Sequence, residues 1–259
     1  MRNNHESVVT YFVLVFLLSI PFWALSMISS RQLLPGLPIS ALGAFTPALA
    51  TFILIHKKEK LLGVSRLVRQ SCDPKRINNR NWYFAIIFAN PFIAVVAYWL
   101  MQAAGRSLPN PAPLTLAIFP MFALFFVAAL GEEIGWSGYA TERLLDTSNI
   151  TSTGILIGIV WAVWHFIPLW QAHRSIEWIA WWSLGTISLR VIMVWIYSHC
   201  GRSVFAMALF HAISNLCWQL FPNNGSHYDP LVFGCITFGV AVLILVAQQF
   251  QSKRMTQAA

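Results

Sequence analysis

Two glutamates, Glu132 and Glu133, stand side by side in the stretch FPMFALFFVAALGEEIGWSGYA, which is otherwise almost wholly apolar. An ionisable group near a bilayer centre costs about 2.5–3.5 kcal/mol on insertion scales, so an adjacent pair has to have a use. Neighbouring helical positions diverge by about 100°, so one carboxylate can face a cavity while the other turns toward another helix. Two like charges this close titrate as one coupled unit, and carboxylates so placed suit general acid or base work. The plainer reading is a polar helix end, with the span stopping near Leu130. Against it, the following IGWSGYA is again apolar and compatible with helix.

Two further stretches carry polar chemistry inside apolar runs. GILIGIVWAVWHFIPLW places His165 one turn after Trp161, and SVFAMALFHAISNLCWQL places His211 and Asn215 at i and i+4, on one helical face. A single intramembrane histidine is more often a structural hydrogen-bonding group than a ligand. Two histidines, an asparagine and a glutamate pair on three helices together resemble a site.

The elements that must position these residues are membrane helices. The 259 residues include 17 Lys and Arg and 9 Asp and Glu, about 10% charged, against 57% hydrophobic, with a mean hydropathy of +0.62. A soluble domain carries about a quarter charged residues, and a disordered chain lacks this apolar content, so both classes are excluded. Spans are expected at 9 to 29, 38 to 56, 82 to 103, 115 to 145, 152 to 171, 178 to 198, 203 to 220 and 230 to 250. The expected fold is therefore an all-α polytopic bundle of about eight spanning helices, forming one membrane domain over residues 1–259. The first apolar segment lacks a clear small-x-small cleavage site and reads as an uncleaved span.

The net charge of +8 follows membrane topology rather than nucleic acid. With the N-terminus cytoplasmic, 13 basic residues fall inside (Arg2, Lys57, Lys58, Lys60, Arg66, Arg69, Lys75, Arg76, Arg80, Arg143, Arg202, Lys253 and Arg254) and three outside (Arg31, Arg106 and Arg174). That bias predicts both termini inside, in the cell membrane. The segment from His56 to Asn81 reads either as an interfacial amphipathic helix, through Leu61, Leu62, Val64, Leu67 and Val68, or as a solvated basic loop. Cys72, Cys200, Cys217 and Cys235 have no metal-ligand spacing and read as packing residues. Trp178, Trp181 and Trp182 fit an outer interfacial belt, whereas Trp161 and Trp164 lie deep.

The chain resembles the CAAX prenyl protease and bacteriocin-processing (CPBP) family of intramembrane proteases, which includes the type II CAAX prenyl endopeptidases. The family's motifs EExxxR, FxxxH and HxxxN each occupy their own helix. Here they read Glu132-Glu133-Ile134-Gly135-Trp136-Ser137, Trp161-Ala162-Val163-Trp164-His165 and His211-Ala212-Ile213-Ser214-Asn215. There are two departures: Trp161 stands where the family has Phe, and Ser137 where it has Arg. Arg190 is the one basic residue left inside a span. It is expected to supply the missing cation to Glu133 or Glu132, the alternative being that it snorkels to the headgroups.

The resemblance implies an intramembrane endopeptidase acting on a membrane-associated or lipidated peptide substrate, with membrane lipids as its surroundings. In that scheme Glu132 and His165 activate water, His211 and Asn215 donate to the oxyanion, and Glu133 supports the first shell. The other scheme makes His165, His211 and one glutamate ligands of Zn²⁺, with the second glutamate as base. The metal-free scheme is favoured, because an asparagine one turn after a histidine is a better oxyanion donor than zinc ligand. A family member without activity, serving as a scaffold or bacteriocin-immunity factor, and a proton-coupled transporter are the competing classes. Depth adds one demand. A 20-residue fourth helix would leave Glu132 nearly 15 Å from the level of His165 at about 1.5 Å per residue, so continuous helix from about 116 to 144 is expected.

Overall fold

The computed structural model describes residues 2–29, 32–34, 37–111, 113 and 115–258, and the side chains of 7–29, 39–111, 113 and 115–250. Arg31 lies outside the described residues. Eight helices follow one another: α1 (Arg2–Ile28), α2 (Thr46–Ser71), α3 (Trp82–Ala103), α4 (Ile118–Leu145), α5 (Ile150–Gln171), α6 (Ile176–His199), α7 (Val204–Leu220) and α8 (Pro230–Ala258). A short antiparallel ribbon, Gln32–Leu34 with Leu37–Pro38, and a 3₁₀ turn over Ile39–Phe45 connect α1 to α2. Seven helices among the described residues are long and apolar enough to cross a membrane, and α7, also apolar, is shorter. The chain is an integral membrane protein with an all-α polytopic bundle. α7 stops early because Pro222 cannot continue it, and it starts at Ser203, whose hydroxyl accepts from the Ala206 N–H at 3.2 Å.

The surface explains the composition. Along α3, Phe84, Phe88, Phe92, Val95 and Trp99 recur every three or four residues and are all exposed, as are Val9, Val13, Leu17 and Ile20 along α1. Apolar stripes of this length face outward only where the solvent is lipid. Similar capping starts α5 and α6: Asn149 Oδ1 accepts from the Ser152 N–H at 2.9 Å, and Ser175 Oγ from the Trp178 N–H at 3.1 Å.

Two readings are decided at α2. Of the two alternatives for the segment after His56, the helix holds and the loop does not: helix continues to Ser71. Lysine and leucine are good helix formers, so hydrogen bonding persists after hydropathy has fallen. The regular course is interrupted at Lys60, whose φ of 55° departs from the helix. Beyond it Leu61 and Leu62 are exposed beside Lys60 and Arg66, the pattern of an interfacial amphipathic helix. The span expected to start at 38 begins as the 3₁₀ turn and becomes α-helical only at Thr46.

α4 runs unbroken through Gly131 and Gly135, as the depth argument required, but it changes character. After Ile118–Gly135 it passes through a π-helical turn, Trp136–Thr141, and closes with Glu142–Leu145. Within that turn the Thr141 hydroxyl donates to the Trp136 carbonyl at 2.8 Å. The end of α4 is tied down by Glu142, which accepts from Tyr197 Oη at 2.7 Å and from Arg202 at 2.9 Å.

Two apolar cores meet at α4. One packs Ile134 with Val191, Ile192 and Ile196 of α6 and Met207 and Phe210 of α7. The other packs Trp136 and Tyr139 with Tyr11 and Val15 of α1 and Ile157, Trp161 and Trp164 of α5. Glu132 and Glu133 precede this divide by one turn or less. α5 and α6 touch backbone to backbone at Gly154 and Gly158: a Cβ at 154 would lie 2.7 Å from Val191 Cα, and one at 158 would lie 2.9 Å from Ile187 Cα and 3.3 Å from Arg190 Cβ. Four-residue spacing of small residues permits this approach. Gly158→Ala should therefore push α6 outward and lower stability by about 1–3 kcal/mol. Thermal unfolding in detergent checks this, and an unchanged midpoint would show that α6 has room to spare.

Candidate active site

Glu133 is completely buried and fully bonded. Arg190 donates to it twice, Nη1 to Oε2 at 2.8 Å and Nη2 to Oε1 at 3.0 Å. Ser137 Oγ donates to Oε2 at 2.5 Å, and His211 Nδ1 lies 3.0 Å from Oε1. Arg190 and Glu133 are both 0% exposed. The planar guanidinium fork matches a carboxylate edge on, which is why arginine rather than lysine is suited to such a pair. Arg190 thus meets Glu133 from α6, 57 residues away in sequence, and does not snorkel. The Ser137 departure is partly self-correcting, since a hydroxyl one turn after Glu133 still reaches its carboxylate.

Glu132 is held differently. Its Oε2 accepts one hydrogen bond, from Trp161 Nε1 at 2.8 Å, and its other oxygen has no hydrogen bond to a described residue. It retains 6% exposure, where Glu133 has none. The two neighbours are thus distinct in kind: one carboxylate has every lone pair engaged, the other keeps an oxygen available for chemistry.

His165 sits half-buried in an aromatic box. Its ring lies 5.3 Å from Trp161, 4.7 Å from Trp164 and 5.2 Å from Trp182, centroid to centroid. Trp182 is therefore a buried wall of the site, not a member of an interfacial belt. Its position in the first turns of α6 gives an interfacial depth, but the helix rotation that decides inward or outward is tertiary. Trp178, by contrast, packs with Trp218 and Tyr228, with the Arg174 guanidinium 4.7 Å from its ring. His165 Nδ1 is 2.8 Å from the Trp161 carbonyl. A carbonyl only accepts, so Nδ1 carries the proton and Nε2 presents the lone pair.

His211 is buried on α7, with its ring 5.1 Å from that of Trp161. Asn215 follows one turn later, half-buried, with no hydrogen bond to a described residue. Glu132, Glu133, His165 and His211 are thus linked through Trp161 and Arg190, and Asn215 shares the helix of His211 without a hydrogen bond to the others. Among the described residues, no three His, Cys, Asp or Glu side chains stand together as a metal-holding set. Glu133 spends its oxygens on Arg190, Ser137 and His211, so in the zinc scheme Glu132 would be the glutamate ligand beside His165 and His211. The cysteines are free thiols, and burial pushes Cys200, at the end of α6, up to about 11, a packing residue rather than a nucleophile.

Sequence reasoning missed two contributors. The Trp161 indole N–H was visible only as an aromatic exchange, although indole differs from phenyl by one donor. Tyr11, fully buried on α1, packs against Trp136 and Tyr139 with its hydroxyl beside Gly135 and without a hydrogen-bond partner among the described residues. Nothing in the local sequence of α1 sets that tyrosine apart.

Comparison with known proteins converges on the same segment. Residues 113–217 match the family described as type II CAAX prenyl endopeptidase Rce1-like. The CAAX prenyl protease 2 of Methanococcus maripaludis is 30% identical over 110 residues, which cover 39% of this chain and 40% of that protein. The chain thus spans about two-fifths of the length of the curated relative it matches. The family segment contains Glu132, Glu133, Trp161, His165, Arg190, His211 and Asn215.

Removing the cation should be costly. Arg190→Gln strands a buried carboxylate, with an expected loss of about 3–5 kcal/mol, and Arg190→Lys should recover part of it without the bidentate geometry. The double variant Glu133→Leu/Arg190→Met, which buries no charge, should be more stable than Arg190→Gln alone. Chemical unfolding in mixed micelles ranks the three; equal stability across the set would show that the pair contributes nothing.

Proposed function

We propose that this chain, whose residues 113–217 match the type II CAAX prenyl endopeptidase Rce1-like family, is an intramembrane endopeptidase. It would hydrolyse a peptide bond in a membrane-associated or lipidated substrate. The observation that carries this reading is the inequality of the two glutamates. A carboxylate with a free oxygen, Glu132, stands one residue from a carboxylate wholly committed to structure.

The chemistry follows from the donor and acceptor inventory. Glu132 and the lone pair of His165 Nε2 take a proton from water as its oxygen attacks the scissile carbonyl carbon. The tetrahedral oxyanion is then met by the Asn215 amide and by His211, which in its imidazolium form donates from both nitrogens, one toward Glu133 and one into the site. Collapse expels the amine, which receives the proton that Glu132 and His165 carried. No step is routed through a metal. Arg190 answers the concern raised by Ser137, since the cation missing from α4 reaches Glu133 from α6. That favours an active enzyme over an inactive scaffold or immunity factor.

The same reading extends to placement. We infer that both termini are cytoplasmic, in the cell membrane, from the excess of basic residues that begins at Lys57 in the second half of α2 and runs to Arg80. The partners in this reading are membrane lipids and a peptide or lipidated protein, with no nucleic acid.

Reconstituted protein should cleave a prenylated C-terminal peptide, and Glu132→Gln and His165→Ala should each lower kcat by about 10²–10⁴-fold with the fold retained. Equal product from wild type and both variants would remove the enzyme reading. Comparing prenylated with unprenylated peptide reads the lipid requirement directly.

A further inference from the structure

Trp161 touches more of the site than any residue with a role in the proposed hydrolysis. Its indole N–H donates to Glu132 Oε2 at 2.8 Å. The face of its ring carries the Arg190 guanidinium, 4.1 Å from the centroid, and that guanidinium holds Glu133. Its carbonyl accepts from His165 Nδ1, and the rings of His165 and His211 meet it edge to face at 84° and 85°. Only 4% of the residue is exposed, so its rotamer is set by packing. Indole has one donor and no acceptor, so the N–H that reaches Glu132 has no substitute in the ring. Indole also offers a cation a better face than phenyl does.

We propose that Trp161 is a positioning residue that orients both glutamates at once, and that tryptophan at this position is coupled to the supply of the cation from α6. Two departures from the family pattern, Trp for Phe and Ser for Arg, then form one arrangement. With the guanidinium coming from α6 instead of α4, it approaches Glu133 across the Trp161 face, and the ring beneath it takes part in holding the charge. Phenyl would leave the guanidinium a weaker face and Glu132 no donor. The catalytic part of this inference rests on the proposed hydrolysis; the structural part does not.

Full-length protein in nanodiscs tests both parts. With ¹⁵N-tryptophan labelling, the Trp161 indole resonance is assigned by its loss in Trp161→Phe and should move upfield in Glu132→Gln. A resonance indifferent to Glu132→Gln overturns the hydrogen bond. A double-mutant cycle of Trp161→Phe with Arg190→Lys, read by unfolding, should be non-additive, and strict additivity overturns the coupling. In the cleavage assay, Trp161→Phe should lower kcat about 10–100-fold, the loss of one hydrogen bond to a charged group, with KM held within about twofold. A raised KM at unchanged kcat overturns the positioning role. If the phenylalanine variant fails to fold, benzothienylalanine at 161 keeps the bicyclic ring and deletes only the N–H, and should show the same kcat loss. Absence of cleavage by the wild type would sink the hydrolase reading, while the resonance and the cycle would still decide the structural claim.

Discussion

Burying Glu133 and Arg190 together, each at 0% exposure, carries a desolvation cost of several kcal/mol per ion, and the bundle around them is arranged to offset it. The carboxylate accepts from three side chains on three helices, α4, α6 and α7. The guanidinium lies on an indole from a fourth, α5. The helices cannot shift independently without stranding a charge in a medium that does not solvate it. The glycines at 154 and 158 belong to the same requirement, because they let α6 come close enough for Arg190 to reach α4.

This constraint also explains how two adjacent glutamates come to differ. The ion pair takes Glu133 out of reach of any reactant. Glu132, one residue and about 100° away, is left to face Trp161 and keeps its small exposure. Low dielectric makes every remaining dipole count, so a single fixed N–H is enough to orient that carboxylate. The two histidines are sorted by the same logic. His165 has one nitrogen tied to a carbonyl and His211 has one tied to a carboxylate, so each presents its other nitrogen with a defined role.

Much of this was legible in the chain itself. Scarce charge and long apolar runs identify membrane helices, and polar residues lipid should exclude point to the candidate site. Arg190, the one cation left inside a span, was legible as a partner for one of the two glutamates, and the structure decides for Glu133. What stayed hidden depends on tertiary rotation. Trp182 looks like a belt residue by depth and is a wall of the site by orientation. Hydropathy marks where α2 leaves the bilayer but not where its hydrogen bonding ends, so the segment from His56 to Ser71 read equally as amphipathic helix or basic loop until the backbone decided for helix. Trp161 was visible as an aromatic, whereas its role lies in the N–H donor and wider ring face that phenylalanine lacks.

The placement of the cation on α6 bears on the order in which the molecule comes together. An arginine one turn from Glu133 would neutralise it as soon as α4 formed, a purely local event. Here the partner is 57 residues away, so the charge is met only once α5 and α6 have docked. Until then Glu133 has no cation to pair with, which favours every arrangement that brings Arg190 in and penalises those that leave it out. The ion pair is thus an assembly checkpoint: a bundle in the wrong helix order cannot close it, and the carboxylate beside it acquires its surroundings only in a correctly built protein.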